Sequence, residues 1–175
     1  AITKEVVDYA HPRGVSVEAE LGRIGTTDFV ETDTDEELFT EPEEAKQFVA
    51  KTNVDALAVS VGTAHGVYKV RQPRVDFERV KQIRELTEVY LVLHGGSGVP
   101  SEMIKKAIQC PGGGISKVNI ATDLEIAFLA AIGRKEPLTN KECCSLSPSL
   151  LRTGQKAVED IVVEKITHFL GSRGK

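Results

Sequence analysis

The chain has few of the features that mark several large protein classes. It holds three cysteines in 175 residues, two of them adjacent (Cys143 and Cys144), and no Cys-x-x-Cys spacing. Adjacent cysteines rarely bond to each other because the geometry strains the peptide between them. This pattern argues against a disulfide framework and a cysteine-built structural zinc site, so any bound metal must be held by His and carboxylates. There is no basic excess: Lys plus Arg is 22 against 26 for Asp plus Glu, a net charge of −4, with no basic run. That speaks against a nucleic-acid partner. No apolar stretch approaches the ~20 residues that cross a bilayer, and no charged-then-apolar leader opens the chain. The expectation is a cytoplasmic protein with reduced thiols and no membrane partner. The first residue is Ala1 rather than Met, so an upstream part is expected. With 41% hydrophobic and 27% charged residues, the proportions are those of one soluble globular domain over residues 1–175.

Four short apolar segments have strand length: Val15–Leu21, Asp55–Gly62, Val89–His94 and Ile115–Ala121. Segments with helical periodicity lie between and after them: Pro42–Thr52, Asp76–Leu86, Pro100–Cys110 and Thr122–Ile132, the last with Ile126, Phe128 and Leu129 inward. A final helix is expected over about 153–170, with Val158, Ile161, Val162, Ile166 and Phe169 inward, and residues 1–11 read as the end of a further helix. Residues 133–152, with Pro, Ser, Asn and the Cys pair, read as an irregular connection. The alternation predicts βα units and a parallel sheet. A doubly wound sheet and a (β/α)8 barrel both fit, with room here for about half of a barrel of ~250 residues. No GxGxxG follows a strand, which weakens the dinucleotide-binding version. From Asp28 to Glu44 there are nine acidic residues and no basic one. This stretch reads either as a solvated loop leading into a helix or as a flap beside an active site.

In parallel βα architecture, chemistry collects where strands end. The first strand ends with Glu18, Glu20 and Gly22, the second with Gly62-Thr63-Ala64-His65-Gly66. The third ends with His94-Gly95-Gly96-Ser97-Gly98, the fourth with Asn119-Ile120-Ala121-Thr122-Asp123. Two of the four histidines thus fall at the same edge of successive strands, each followed by Gly. Neighbouring strands are ~5 Å apart, so two such imidazoles can converge on one ion. Glu20 can add an oxygen. A lone strand-end His is more often structural, and the pairing is what makes the metal reading credible. Gly95–Ser97 and Asn119–Thr122 each lead into a helix, and Gly-rich turns and helix starts bind anions. The plainer alternative makes HGGSG a tight turn and Asn119 or Thr122 a helix N-cap.

These stretches together resemble a known family. VEAELGRIGTTD (Val17–Asp28), VGTAHGVY (Val61–Tyr68), LVLHGGSGVP (Leu91–Pro100) and KVNIATDLEIAF (Lys117–Phe128) are similar to motifs of the class II, metal-dependent ketose-bisphosphate aldolases. The closing VVEKITHFLGSRGK resembles that family's last helix. The resemblance implies an α/β fold of the TIM (β/α)8 type, with only about the last four βα units present. It implies a lyase that cleaves fructose or tagatose 1,6-bisphosphate reversibly to dihydroxyacetone phosphate and glyceraldehyde 3-phosphate through a zinc-stabilised enediolate. His65 and His94 match zinc ligands, and Glu20 an alternative metal position. Gly66, Gly95, Gly96, Ser97, Asn119, Ile120, Ala121 and Thr122 match contacts to the dihydroxyacetone phosphate. Asp28 stands where the family usually has the Glu that transfers the proton. Zinc is the implied metal, with cobalt or iron as alternatives. A monovalent cation near the phosphate and a homo-oligomer, a dimer or larger, are also implied.

The departures concern the upstream half. The family's third zinc histidine, and the Asp beside it that acts on the cleaved hydroxyl, precede anything matched here. His11 and His168, the remaining histidines, sit in no family motif and read as helix-end or surface residues. The direction of Lys117 is left open. On this reading the isolated chain is incomplete for catalysis. The alternative is a half-barrel without catalysis that binds a sugar phosphate or another protein, its open strand edges inviting a further chain.

Overall fold

The computed structural model describes residues 2–25, 38–66, 68 and 72–174. Within them the chain divides into two compact units, Ala1–Asn119 and Ile120–Lys175.

The first unit alternates strand and helix as the pattern required. After α1 (Ile2–Ala10) and a 3-10 turn (His11–Arg13) come β1 (Glu18–Leu21), α2 (Pro42–Thr52), β2 (Ala56–Val59), α3 (Phe77–Leu86), β3 (Tyr90–Leu93), α4 (Ser101–Ile108) and β4 (Ile115–Val118). Local chemistry sets several boundaries. Pro42 opens α2 where a missing amide costs nothing, and Asn53, at φ 59°, closes it in the left-handed conformation. The Asp76 carboxylate caps α3 by accepting from the Arg79 amide at 3.0 Å.

All neighbouring strands are parallel, in the order β1-β2-β3-β4. This order decides between the two architectures the sequence allowed. Crossovers are right-handed, so a strand order that never reverses places α2, α3 and α4 on one side of the sheet. A doubly wound sheet needs a reversal, whereas a barrel is wound in one direction only. The fold is therefore the TIM-barrel type, four consecutive strands of it.

The two sheet faces differ sharply. One carries Leu57, Val59, Leu91, Leu93 and Ile115, all buried, and the helices bring Ala45, Val80, Ile83, Ile104 and Ala107 into the same core. The other carries Glu18, Glu20, Ala56, Ala58, Tyr90, Val92 and Lys117, in the rows set by the register. Lys117 reaches this face through a register shift. Leu91 pairs with Ile115, but Val92 pairs with Lys117, which skips Ser116. Without the skip, strict alternation would turn Lys117 to the helix-covered side. The Lys117 ammonium instead donates to Glu18 at 2.8 Å. β1 and β4 are three strand spacings apart, roughly 14 Å in a flat sheet. A Glu and a Lys meet across that span only on a face that curls inward, as the inner wall of a barrel does.

The second unit is helical: α5 (Thr122–Ala131), α6 (Asn140–Cys144) and α7 (Pro148–Glu164), with a π turn over Lys165–Phe169. Two features differ from the sequence reading. The stretch read as irregular contains α6, and α7 starts at Pro148. Both starts are capped: Thr139 and Glu142 form a reciprocal capping box, and the Ser147 hydroxyl accepts from the Leu150 amide. The Thr139 amide, Arg134 and the Thr139 hydroxyl hold the Glu142 carboxyl at about 2. The inward set of helix residues is also smaller than the periodicity suggested. Leu129 and Phe169 are buried, but Ile126, Val162 and Ile166 are exposed.

Candidate active site

The loops that follow β1, β2 and β3 are tied to one another by backbone and hydroxyl contacts. The Thr40 hydroxyl donates to the Leu21 carbonyl at 2.5 Å and accepts from the Ser60 amide at 2.8 Å, joining the ends of β1 and β2. The His65 amide donates to the Gly25 carbonyl at 3.0 Å. The buried Thr63 hydroxyl donates to the His94 carbonyl at 2.7 Å, which joins the ends of β2 and β3. Gly95 has φ +70°, and a Cβ there would lie 2.5 Å from the Ala64 carbonyl oxygen. The residue after one histidine and the residue before the other thus touch backbone to backbone. Tyr68 seals the joint: its hydroxyl accepts from the Ala64 amide at 2.9 Å.

This scaffold brings the two strand-end imidazoles together. The His65 and His94 ring centres are 6.0 Å apart, with 34° between their planes. Two imidazoles on one ion, with bonds of ~2.1 Å, place their ring centres about 5–6 Å apart. The spacing and the donor chemistry of the pair therefore fit a divalent cation. The donor set is not closed: among the described residues, no group of three His, Cys, Asp or Glu side chains is spaced to hold a metal ion.

His94 is gripped by carboxylates at both ring nitrogens. Nδ1 lies 2.7 Å from Glu20 Oε2 and Nε2 3.2 Å from Glu18 Oε1. Burial raises the Glu18 carboxyl, but Lys117 and His94 together outweigh it and hold the group below its ordinary value. Glu20 lies on β1 against the His94 ring. Glu18 and Lys117 were not singled out as site residues by the sequence. The period-two spacing of Glu18 and Glu20 was the available signal for the first, and nothing local signals the second, because its direction depends on the skipped Ser116.

The remaining expected contacts fall as follows. Gly66 follows His65 at φ 111°. Ser97 is buried, while the Gly96 amide donates to the Asn119 carbonyl at 3.0 Å and the Asn119 amide to the Leu93 carbonyl at 2.9 Å. The Gly96 amide is thus engaged by backbone in this arrangement. HGGSG leads into α4 as expected, with Pro100 as the N-cap and Ser101 the first helical residue. Ile120, Ala121 and Thr122 belong to the second unit. The N-cap of α5 is Ala121, with no side-chain cap bond, so neither Asn119 nor Thr122 plays that part. Asp28 lies outside the described residues, as does most of the acidic stretch around it. His11 stands at the end of α1, as a helix-end residue, and its Nε2 lies 2.9 Å from the Asp55 carboxylate, at the opposite end of β2. Cys110 is buried, which pushes its thiol up, and Cys143 and Cys144 are exposed; all three are free thiols. Among the described residues no helix is long and apolar enough to cross a membrane.

A one-way-wound parallel sheet with paired strand-end histidines and carboxylates on its inner face is part of a TIM-type barrel. Comparison with known proteins agrees: the model of the family "Fructose-bisphosphate aldolase class-II" matches residues 1–175. The chain belongs to the class II fructose-bisphosphate aldolase family. Among solved structures, the YdjI aldolase of Escherichia coli K12 is similar at 40% identity and a TM-score of 0.76, over 98% of this chain and 55% of its own. A Coccidioides immitis protein described as a candidate fructose-1,6-bisphosphate aldolase matches at 34% identity and a TM-score of 0.71, over 99% of this chain and 58% of its own. The fructose-bisphosphate aldolase of Campylobacter jejuni, 23% identical with a TM-score of 0.66 over 96% of this chain and 55% of its own, shares the fold. The chain therefore spans little more than half the length of these structures.

Proposed function

We propose that the chain carries the metal- and phosphate-binding part of a zinc-dependent aldolase. Its reaction is the reversible cleavage of a ketose 1,6-bisphosphate, fructose or tagatose, to dihydroxyacetone phosphate and glyceraldehyde 3-phosphate. Its setting is cytoplasmic glycolysis and related carbohydrate metabolism, as a homo-oligomer. The observation that supports this reading is the meeting of His65 and His94, ring centres 6.0 Å apart, beside Glu20.

On this reading His65 and His94 hold the ion, with Glu20 as its alternative carboxylate. A divalent ion supplies electrostatic stabilisation for the negative charge that develops on the substrate as the carbon–carbon bond opens. The chain's own residues bind and orient. Thr63 and the Ala64–Gly95 contact fix the two imidazoles relative to each other. Gly66, Gly95, Gly96 and Ser97 present backbone and a hydroxyl to the phosphate-bearing end, with a monovalent cation nearby, and this grip lowers the barrier by removing motion. The same assignment extends by motif alone to Asn119 and, in the second unit, to Ile120, Ala121 and Thr122. Asp28 takes the proton-transfer role, one methylene shorter than the Glu usual there. Lys117 is ion-paired with Glu18, which disfavours it as a Schiff-base nucleophile.

Equilibrium dialysis against zinc tests the reading. The chain is expected to bind zinc, and His65→Ala and His94→Ala each to abolish that binding. Because it supplies two imidazoles where the family uses three, the chain alone is expected to show no cleavage of fructose 1,6-bisphosphate in a coupled assay. Absence of zinc binding at millimolar metal, or its persistence in both variants, would refute the proposal. One observation favours a second reading, a sugar-phosphate-binding module without catalysis: no three-ligand group is assembled among the described residues. Phosphate binding that ignores zinc would decide for it.

A further inference from the structure

We infer that Lys117 is a positioning residue, which fixes the His94 imidazole by pinning Glu18. The inference rests on the proposed metal role of His94 for its functional consequence, and on geometry for its substance. Three strands contribute: Lys117 from β4, Glu18 from β1, His94 from the end of β3. The Lys117 ammonium donates to Glu18 Oε2 at 2.8 Å, while the other oxygen of the same carboxylate faces His94 Nε2 at 3.2 Å. Glu20 takes the opposite nitrogen at 2.7 Å. A neutral imidazole has one N–H; were a metal ion to take the nitrogen that faces Glu20, that N–H would be left to donate to Glu18, which would keep the ring from turning.

Glu18 would not stay in this position unaided. It stands two residues from Glu20 on the same strand face, so two carboxylates approach one ring and repel each other. Lys117 offsets that repulsion from the far side of the curled sheet. Between them on this face lie Ala56 and Ala58 on β2 and Val92 on β3, with the exposed Tyr90 beside Val92 in the row of Glu18. The skipped Ser116 is what turns Lys117 to this side at all. A merely charge-balancing lysine would need none of these particulars. Partners that orient a ligating imidazole typically change metal affinity 10–100-fold when removed.

The test compares the wild-type chain with Lys117→Met, Lys117→Arg, Glu18→Gln and the Lys117→Met/Glu18→Gln double variant. Two quantities are read: zinc affinity by chelator competition, and the imidazole nitrogen resonances of His94 in the metal-free chain, assigned with His94→Ala. Lys117→Met is expected to weaken zinc about tenfold or more and to shift or broaden the His94 signals. Lys117→Arg should restore most of both. If Lys117 acts through Glu18, the double variant will be no worse than Glu18→Gln alone. Unchanged His94 signals in Lys117→Met, or losses that multiply in the double variant, would overturn the inference. The two readings separate cleanly. If the wild type holds no zinc yet Lys117→Met still moves the His94 signals, the metal reading falls and the positioning role stands. If the wild type holds zinc and Lys117→Met changes neither quantity, only the positioning role falls.

Discussion

Replacing Gly95 by Ala tests whether the two histidine loops are locked to each other. Two penalties apply. The φ of +70° is costly for a residue with a Cβ, about 1–2 kcal/mol. The new methyl would also sit 2.5 Å from the Ala64 carbonyl oxygen, 2.7 Å from its carbon and 3.1 Å from its nitrogen. These are backbone atoms, so no rotamer change relieves the overlap. Ala64 is fully buried and held by Tyr68, and forced repacking of that kind costs roughly 1–3 kcal/mol. The sum is a destabilisation of about 2–5 kcal/mol, measured by urea unfolding. Gly14→Ala supplies the control: its φ is +69°, and nothing lies within 4 Å of its Cβ position. It should show the conformational penalty alone, so the difference between the variants isolates the loop contact. Zinc affinity should fall with Gly95→Ala, because the displaced Ala64 carries His65 with it, and stay unchanged with Gly14→Ala. Equal destabilisation by both variants, or Gly95→Ala with wild-type zinc affinity, would refute the lock.

Gly154→Ala sets two effects against each other in the second unit. Alanine gains about 1 kcal/mol of helix propensity, but its Cβ would lie 2.4 Å from the Phe128 ring, at an overpacking cost of roughly 1–3 kcal/mol. Thermal melts should therefore show no gain and up to about 2 kcal/mol of loss, and a stabilised variant would show that α5 and α7 do not approach this closely. Asp55→Ala probes the other end of the strands. The Val17 amide, at 2.6 Å, and then His11 hold the Asp55 carboxyl below its ordinary value. A depressed acid contributes stability that is present above its unfolded pKa of ~3.9 and lost as pH falls through the folded value. The gap in urea midpoint between wild type and Asp55→Ala should thus be full at neutral pH and narrower at pH 3, and a gap that does not change would remove the ionised carboxylate as its cause.

Much of this architecture was legible because it rests on local signals. Pro42 and Asn53 bracket α2, Asp76 caps α3, and runs such as YLVL and ALAV give strands. The paired His-Gly steps gave the core of the candidate site for the same reason, since strand-end position follows directly from strand assignment. What stayed hidden depends on tertiary geometry. Periodicity placed Ile126, Val162 and Ile166 inward because it marks an apolar stripe without saying how much of it is covered. The stretch before α7 looked irregular because Pro and Ser were read as breakers, whereas Pro148 and Ser147 are a helix start. Lys117 escaped because a period-two rule holds only until a strand skips a residue.

The same skip explains why the inner face is polar in so ordered a way. Glu18 and Glu20 put two negative charges on one strand face, an arrangement unfavourable for a sheet unless something opposes it. Lys117 opposes one of them. Glu20, on the same face, lies against the Nδ1 of the same imidazole. A cation bound beside Glu20 would offset its negative charge. The carboxylate that Lys117 pins is fixed in place, and the one it leaves alone is the one the family motif assigns to an alternative metal position. The division of labour between the two glutamates therefore follows from which of them the far strand can reach.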